Sequence, residues 1–410
     1  MSSEGSKPVR IGLLGRGTVG AAFAELLAER GEAVEAATGL RPEISGVLTR
    51  REGDFDSILA GSDLIVELMG GTEPTREHVL AALRAGKPVV TANKQLLAQH
   101  GDELFTVARG AGVQLRFEAA VAAVIPIVRA IQESFGVTEI SKVFGIVNGT
   151  TNFILTEMAA SGAGYDDVLA QAQELGYAEA DPTDDVSGAD AAAKMAILAR
   201  LAFHTPVTLD EVTYEGIERI LPDDLAYAKE LGLSLKLLGV AERRDGGISV
   251  RVFPCFLYRG HPLAPIEGPF NAVMVEAPAI SEVTMSGPGA GGPQTASAVL
   301  GDVVSILAGD APVHETRVEL PIVADVSSSF YLYLEVADQP GVLARVATVL
   351  GDHGISVKSV VQRGIGDEAR LVMVIHECLE AKFAAAVEAL GELDELRAPP
   401  RSIRVIEEEY

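Results

Sequence analysis

Short apolar runs alternate with longer mixed stretches along the first 120 residues, and this alternation predicts strand and helix in turn. Residues 9–14 (VRIGLL), 44–49, 64–68, 88–91 and 113–117 read as five strands, with helices over 21–30 (AAFAELLAER), 76–85 and 95–110 between them. Such alternation predicts an α/β unit with a parallel, doubly wound sheet. From about 139 to 290 the texture changes. Helices are predicted near 150–160, 165–175 and 187–203, then longer strands at 233–242, 248–258, 270–276 and 279–285, the pattern of an α+β domain. A helix over 294–307 is expected to return to the first unit. After a polar joint, Ser327-Ser328-Ser329, residues 330–410 read strand, helix, strand, strand, helix, strand. The first members are a strand over 331–336, a helix over 342–353 and a strand over 355–361.

Composition narrows the class. A chain of 410 residues with 48% hydrophobic content should form two or three domains with sizeable cores. The most apolar run, 119–128, contains Pro126 and is too short to span a bilayer, and the polar start MSSEGSKPVR has no signal-peptide core. The expectation is a soluble, cytoplasmic protein. Two distant cysteines, Cys255 and Cys378, form neither a disulfide framework nor a metal motif, in keeping with a reducing compartment. A net charge of −25 repels nucleic acid. Histidines 78, 100, 204, 261, 314, 353 and 376 lack ligand spacing, which argues against a histidine-based metal site.

Between the first strand and helix lies Gly15-Arg16-Gly17-Thr18-Val19-Gly20, a G-x-G-x-x-G turn. In that setting Gly15 permits the turn, Gly17 lets backbone approach a pyrophosphate, and Gly20 lets helix and strand pack closely. The turn can equally be an ordinary strand–helix connection; its flanks favour a dinucleotide. The second strand ends in Arg50 and Arg51 rather than an acid, which favours NADP over NAD, with Arg50 foremost and Arg51 or Arg16 as helpers. The alternative is that these arginines merely solubilise a loop that also carries Asp54 and Asp56.

Candidate chemistry lies at strand ends and on one later helix. Thr91-Ala92-Asn93-Lys94 follows the fourth strand and Glu118 the fifth, at the edge where ligands bind in this architecture. On the helix over 187–203, Asp190, Lys194, Ile197 and Leu201 share one narrow stripe, so the Asp–Lys pair is expected on the buried face. Burial lowers a lysine's pKa and a neighbouring carboxylate raises it, so a proton-transfer role becomes physically reasonable. Four carboxylates, Glu179, Asp181, Asp184 and Asp185, fall within seven residues just before. They could receive an ammonium group, bind a divalent cation or cap the next helix.

GLLGRGTVG (12–20), TANK (91–94), FEAAVAAVIP (117–126), GIVNGTTNFIL (145–155), LGYAEADPTDDVSGADAAAK (175–194), GPGAGGPQTASAVLGD (287–302) and DQPGVLARVATVLGDHGISVKSV (338–360) together resemble monofunctional homoserine dehydrogenases that carry a C-terminal ACT domain. The resemblance runs from about residue 8 to the end. It implies a Rossmann-type domain over 1–135 completed by 288–325, an α+β catalytic and dimerisation domain over 136–287, and a ferredoxin-like (βαββαβ) ACT domain over 328–410. Lys194 resembles the family's acid/base lysine, Asp190 the neighbour that orients substrate, and Lys94 the second lysine near cofactor and substrate. Glu179 and Asp184 resemble the carboxylates that hold the substrate ammonium, and Gly149 and Thr150, with Asn148, the turn lining its pocket. Gly289 is expected against the cofactor, as are Gly15, Arg16, Gly17, Thr18, Val19, Gly20, Arg50 and Thr91. Glu118, with carbonyls near Val121, Ala123 and Ile125, resembles a monovalent, sodium-type site.

The implied reaction is reversible hydride transfer between a nicotinamide (NADP, or NAD) and the substrate, interconverting L-homoserine and L-aspartate 4-semialdehyde for threonine, methionine and isoleucine biosynthesis. A homodimer or homotetramer is expected. L-Threonine is the natural effector for the ACT domain, whose Gly341 turn lies near a ligand in such domains; the alternative is a dimerisation module that binds nothing. Two other classes fit the sequence less well. A silent amino-acid sensor is disfavoured by the intact Lys94, Asp190 and Lys194 set, and a 2-hydroxy acid dehydrogenase by the lack of a matching histidine.

Overall fold

The computed structural model describes residues 8–309, 317–364 and 369–406. His314 and the outer ends of the first and last expected domains lie outside the described residues.

Strands β1 (Pro8–Leu14), β2 (Arg41–Leu48), β3 (Leu64–Glu67), β4 (Val89–Thr91) and β5 (Leu115–Arg116) form a parallel sheet in the order β2-β1-β3-β4-β5. Both faces are covered, so successive residues of one strand enter different cores. Ile11, Leu13, Leu64 and Val66 pack with Phe23 and Leu27 of helix Thr18–Thr38 and with Val299 and Val303 of helix Gly292–Ala308. Leu14, Ile65 and Val89 point the other way, onto helices Thr75–Arg84 and Lys94–Ala111. The returning helix anticipated from residues 294–307 therefore covers the first sheet. The first helix outruns its expected end at residue 30: it continues through Gly31 to Thr38 and stops at Gly39, in the left-handed region at φ 73°.

The remaining strands are β6 (Lys142–Ile146), β7 (Thr213–Tyr214), β8 (Leu233–Arg244), β9 (Gly247–Tyr258), β10 (Phe270–Ala277), β11 (Ser281–Pro288), β12 (Ser327–Val336), β13 (Val357–Arg363), β14 (Ala369–Leu379) and β15 (Arg401–Ile406). They form one ten-stranded sheet, β11-β10-β6-β8-β9-β15-β12-β14-β13, with β7 beside β9. Parallel pairing of β15 with β9, from Arg404 opposite Cys255 to Ile406 opposite Leu257, makes the C-terminal sheet continuous with the preceding one. Ser327-Ser328-Ser329 is the start of β12 rather than a joint; Ser328 faces inward and donates to Glu380 at 2.8 Å. β6 and the helices Phe55–Gly61 and Pro222–Glu230 are further elements beyond those expected from the sequence. Each is short, and β6 is interrupted by Gly145, so their periodicity is weak. Among the described residues no helix is long and apolar enough to cross a membrane.

Helix Ala189–Phe203 is buried on nearly every side and packs between β8, β9 and helix Lys94–Ala111. Its N-terminus meets those of helices Lys94–Ala111 and Gly149–Ser161, and the candidate chemistry gathers there.

Candidate active site

The order β2-β1-β3-β4-β5 reverses chain direction across the sheet between β1 and β3, leaving a crevice at their carboxyl ends. The glycine turn fills one side. Gly15, at φ 98°, donates its N–H to Leu48 O at 2.8 Å, and a Cβ on it would lie 2.5 Å from Leu68 O. A Cβ on Gly20 would lie 2.2 Å from Gly15 O, so the helix rests on the turn. At Gly17 a Cβ would meet nothing within 4 Å, and no side chain caps the helix. The first N–H groups of the helix, at Thr18, Val19 and Gly20, thus border open space suited to an anion. A dinucleotide fits this cradle. Arg16 and Arg50 are exposed, the latter just beyond β2. Gly292, at the end of the 287–292 turn, packs on Thr18, which brings the turn containing Gly289 beside the cradle. Gly289 itself lies flat on the buried Asn271 carboxamide, where a Cβ would clash at 2.2 Å. Thr91 is fully buried and its hydroxyl donates to Glu67 at 2.5 Å.

The lysines meet on one carboxylate. Lys194 Nζ donates to Asp190 Oδ2 and to the Val147 carbonyl, both at 2.7 Å, while Lys94 pairs with the other oxygen, Oδ1. Asn148 caps helix Gly149–Ser161 with its Oδ1 and uses its Nδ2 to bridge Asp190 Oδ2 at 2.8 Å and Asp185 Oδ1 at 2.6 Å. Lys194 retains 13% side-chain exposure and Lys94 36%, against 3% for Asp190, so the carboxylate is buried beneath two more accessible amines. Burial would raise the Asp190 pKa, but Lys194 and Lys94 outweigh it and hold the carboxyl far below its ordinary value. Burial likewise would lower Lys94, and Asp190, with Asp185 and Asp184 behind it, holds it above its ordinary value. Burial and the nearby Asp190 push Asp185 up, opposed by the Asn148 hydrogen bond and the two lysines. The pairing of Lys94 with Asp190 was invisible in the sequence.

The acidic segment divides. Asp185 turns inward to Asn148, whereas Asp184 and Glu179 are exposed. Asp185 was missed as an individual site residue; its only sequence signal was membership of the acidic run. Thr150 Oγ1 donates to Tyr177 O at 2.7 Å, tying the Gly149-Thr150 turn to the start of that run.

Glu118 lies apart, beyond β5. Its carboxylate is buried and accepts the N–H groups of Val128 and Arg129 at 2.8 and 2.9 Å, while its own N–H donates to Asp302 at 2.8 Å. Burial pushes Glu118 up to about 7, with Asp302 adding to the rise, and burial pushes Asp302 up to about 6. The segment from Val121 to Ile125 bends sharply, with Ala122 and Ala123 at φ 53° and 47°. A buried acidic pair beside bent backbone offers hard oxygen donors, while Asp302 also pairs with Arg129 at 3.5 Å and the Ile125 carbonyl accepts the Ile127 N–H at 2.7 Å.

The chain matches family models described as homoserine dehydrogenase, NAD binding domain over residues 15–118, homoserine dehydrogenase over 126–304, and ACT domain over 330–395. It is 45% identical to a homoserine dehydrogenase of Corynebacterium glutamicum, the match covering 93% of this chain and 92% of that protein. The crystal structure of a homoserine dehydrogenase from Thiobacillus denitrificans superposes with a TM-score of 0.92 at 37% identity, over 98% and 99% of the two chains. A hyperthermophilic archaeal homoserine dehydrogenase in complex with NADPH matches with a TM-score of 0.64 at 27% identity, over 75% of this chain and all of that one.

Proposed function

This chain belongs to the homoserine dehydrogenase family, a nicotinamide-dependent oxidoreductase acting on a CH–OH group and carrying an ACT domain, and from that premise we propose that Lys194, Asp190 and Lys94 form its catalytic centre. The observation that carries this reading is one buried carboxylate, Asp190, gripped by two lysines. When bound, the nicotinamide takes up or returns the hydride. In reduction of L-aspartate 4-semialdehyde, a cationic lysine stabilises the oxygen as it gains charge and then gives it a proton. In oxidation of L-homoserine the same amine takes the hydroxyl proton and must first be neutral. Asp190 orients both amines. The substrate ammonium is held by Asp185, by Asp184 and Glu179 at the rim, and by the turn of Gly149 and Thr150.

The cofactor is NADP, held by the 15–20 turn with Thr91 and Gly289 in support and its 2′-phosphate on Arg50 with Arg16. Arg50→Ala should lower the ratio of kcat/KM for NADP over NAD about tenfold or more, the usual cost of a lost charge-assisted hydrogen bond. An unchanged ratio in homoserine oxidation assays would remove Arg50 from this role.

Glu118 and the carbonyls near Val121, Ala123 and Ile125 hold sodium. With its pKa raised to about 7, Glu118 contributes stability when protonated, and that stability is lost as pH rises from the unfolded carboxyl value through about 7. Sodium, competing with the proton, should therefore raise Tm more at about pH 8 than at about pH 6, relative to choline chloride at equal ionic strength. Glu118→Gln should remove the difference; an equal effect of both salts on the native chain would exclude the site.

We divide the chain into a Rossmann-type domain over 1–135 with 288–325, a catalytic and dimerisation domain over 136–287 and the ACT domain over 328–410. The protein acts as a cytoplasmic homodimer or homotetramer in threonine, methionine and isoleucine biosynthesis. The ACT domain senses L-threonine at the Gly341 turn, a reading supported by a cavity of about 350 Å³ lined by Asp338, Gln339, Gly341, Leu343 and Gln362. The experiment that tests the whole reading is oxidation of L-homoserine by the purified chain with NADP and with NAD, each with and without L-threonine. Oxidation with NADP that threonine suppresses is expected; cofactor binding without turnover would favour a sensor.

A further inference from the structure

Glu67 ends β3, beside the crevice, and is fully buried with no cation on it among the described residues. Its Oε1 accepts the N–H groups of Met69 at 2.7 Å and Gly70 at 3.3 Å, and its Oε2 accepts the Thr91 hydroxyl at 2.5 Å. The Thr91 oxygen accepts the Asn93 N–H at 3.0 Å, and Asn93 Nδ2 donates back to Gly71 O at 2.6 Å. These bonds close a ring between the loop after β3 and the loop after β4. Each loop serves a different part of the crevice. Leu68 O lies directly under Gly15, so the first loop supports the cofactor turn. Asn93 caps helix Lys94–Ala111 by accepting the Leu96 N–H at 3.0 Å, and Lys94 is the first residue of that helix.

We infer that Glu67 is a positioning residue for the dehydrogenase reaction, fixing the backbone of Lys94 relative to the cofactor turn through this ring. The inference rests on the reading of Lys94 as a member of the catalytic centre. A buried carboxylate is costly unless strong donors surround it. Burial pushes Glu67 up, Thr91, Met69, Gly70 and Asn93 oppose the rise, and in its ionised form it meets its hydrogen-bond donors with acceptors alone. Glutamine has nearly the same shape but cannot accept from the Met69 and Gly70 N–H groups and from the Thr91 hydroxyl at once, so the Thr91 proton loses its buried acceptor and the link between the loops weakens. Lys94 reaches Asp190 by its amine, which anchors the tip of the side chain, while the ring anchors its root.

The test is a double-mutant cycle in L-homoserine oxidation with NADP, combining Glu67→Gln with Lys94→Ala. In the native background Glu67→Gln should lower kcat about 30- to 100-fold, the scale of a misplacement near 1 Å, with KM for L-homoserine changed less than about threefold. In the Lys94→Ala background, followed over long times at high enzyme concentration, it should cost no more than about threefold, because the residue it positions is gone. The same large factor in both backgrounds, or none in the native one, would overturn the inference. If Lys94→Ala alone keeps the native kcat, the reading of Lys94 has failed instead. Should Glu67→Gln not fold, Thr91→Val breaks one link of the ring and should lower kcat about tenfold more than Thr91→Ser, which keeps the hydroxyl. Equal losses in the two Thr91 variants would likewise overturn it.

Discussion

Lys194→Ala is expected to lower kcat for L-homoserine oxidation by about 10² to 10⁴, or about 3 to 5 kcal/mol of transition-state stabilisation, the range for removing a positioned acid/base group. The chain should stay folded. Asp190 keeps Lys94 on Oδ1 and Asn148 on Oδ2, so no buried charge is stranded. What is lost is the amine held at 2.7 Å from both Asp190 and the Val147 carbonyl, a geometry Lys94 cannot reproduce from its own helix. Cofactor affinity, measured by fluorescence titration, should be unchanged. A Lys194→Ala enzyme within about threefold of native kcat would shift the proton-transfer role to Lys94, since an acid/base group contributes far more than that.

The second large effect is expected at Asp190. Asp190→Asn leaves two lysines facing one another without their shared anion, in a site where the carboxylate was 3% exposed. Breaking one side of a buried ion pair costs about 3 to 5 kcal/mol, and the low end applies because Lys94 keeps over a third of its side chain in water. Urea denaturation at neutral pH should report that loss. Its pH dependence follows from the sign of the shift. A carboxyl depressed in the folded chain contributes stability above its unfolded value near 4, and the contribution fades as pH falls below it. The stability gap between native and variant should therefore narrow under acid. Lys94, held up by Asp190 in the native chain, should also titrate at lower pH in the variant. A variant as stable as native at neutral pH would show that the two lysines do not depend on Asp190.

Local spacing made part of this site legible. The Gly15–Gly20 turn declared itself by its flanking strand and helix, and the i,i+4 spacing of Asp190 and Lys194 placed them together on one stripe. Contacts set by packing between helices were not legible. Lys94 reaches Asp190 because helix Lys94–Ala111 docks on helix Ala189–Phe203, and nothing in either segment encodes that docking alone. Asp184 and Asp185 are adjacent carboxylates with the same local signal. Only the position of Asn148, capping a helix nearly forty residues earlier in the chain, distinguishes the inward one. The fold shows the same division. The alternation of the first sheet was plain, whereas the joining of the later strands through β9 and β15 depends on a three-residue pairing between segments far apart in the chain.

The most direct measurement is the pH dependence of kcat for L-homoserine oxidation between about pH 6 and 10, with a deuterium isotope effect at the carbinol carbon establishing that hydride transfer limits the rate. A lysine that must be neutral to accept the hydroxyl proton predicts a rate rising about tenfold per pH unit until the amine is deprotonated. A flat profile over that range, with hydride transfer still limiting, would contradict the central claim that a lysine paired with Asp190 carries the proton.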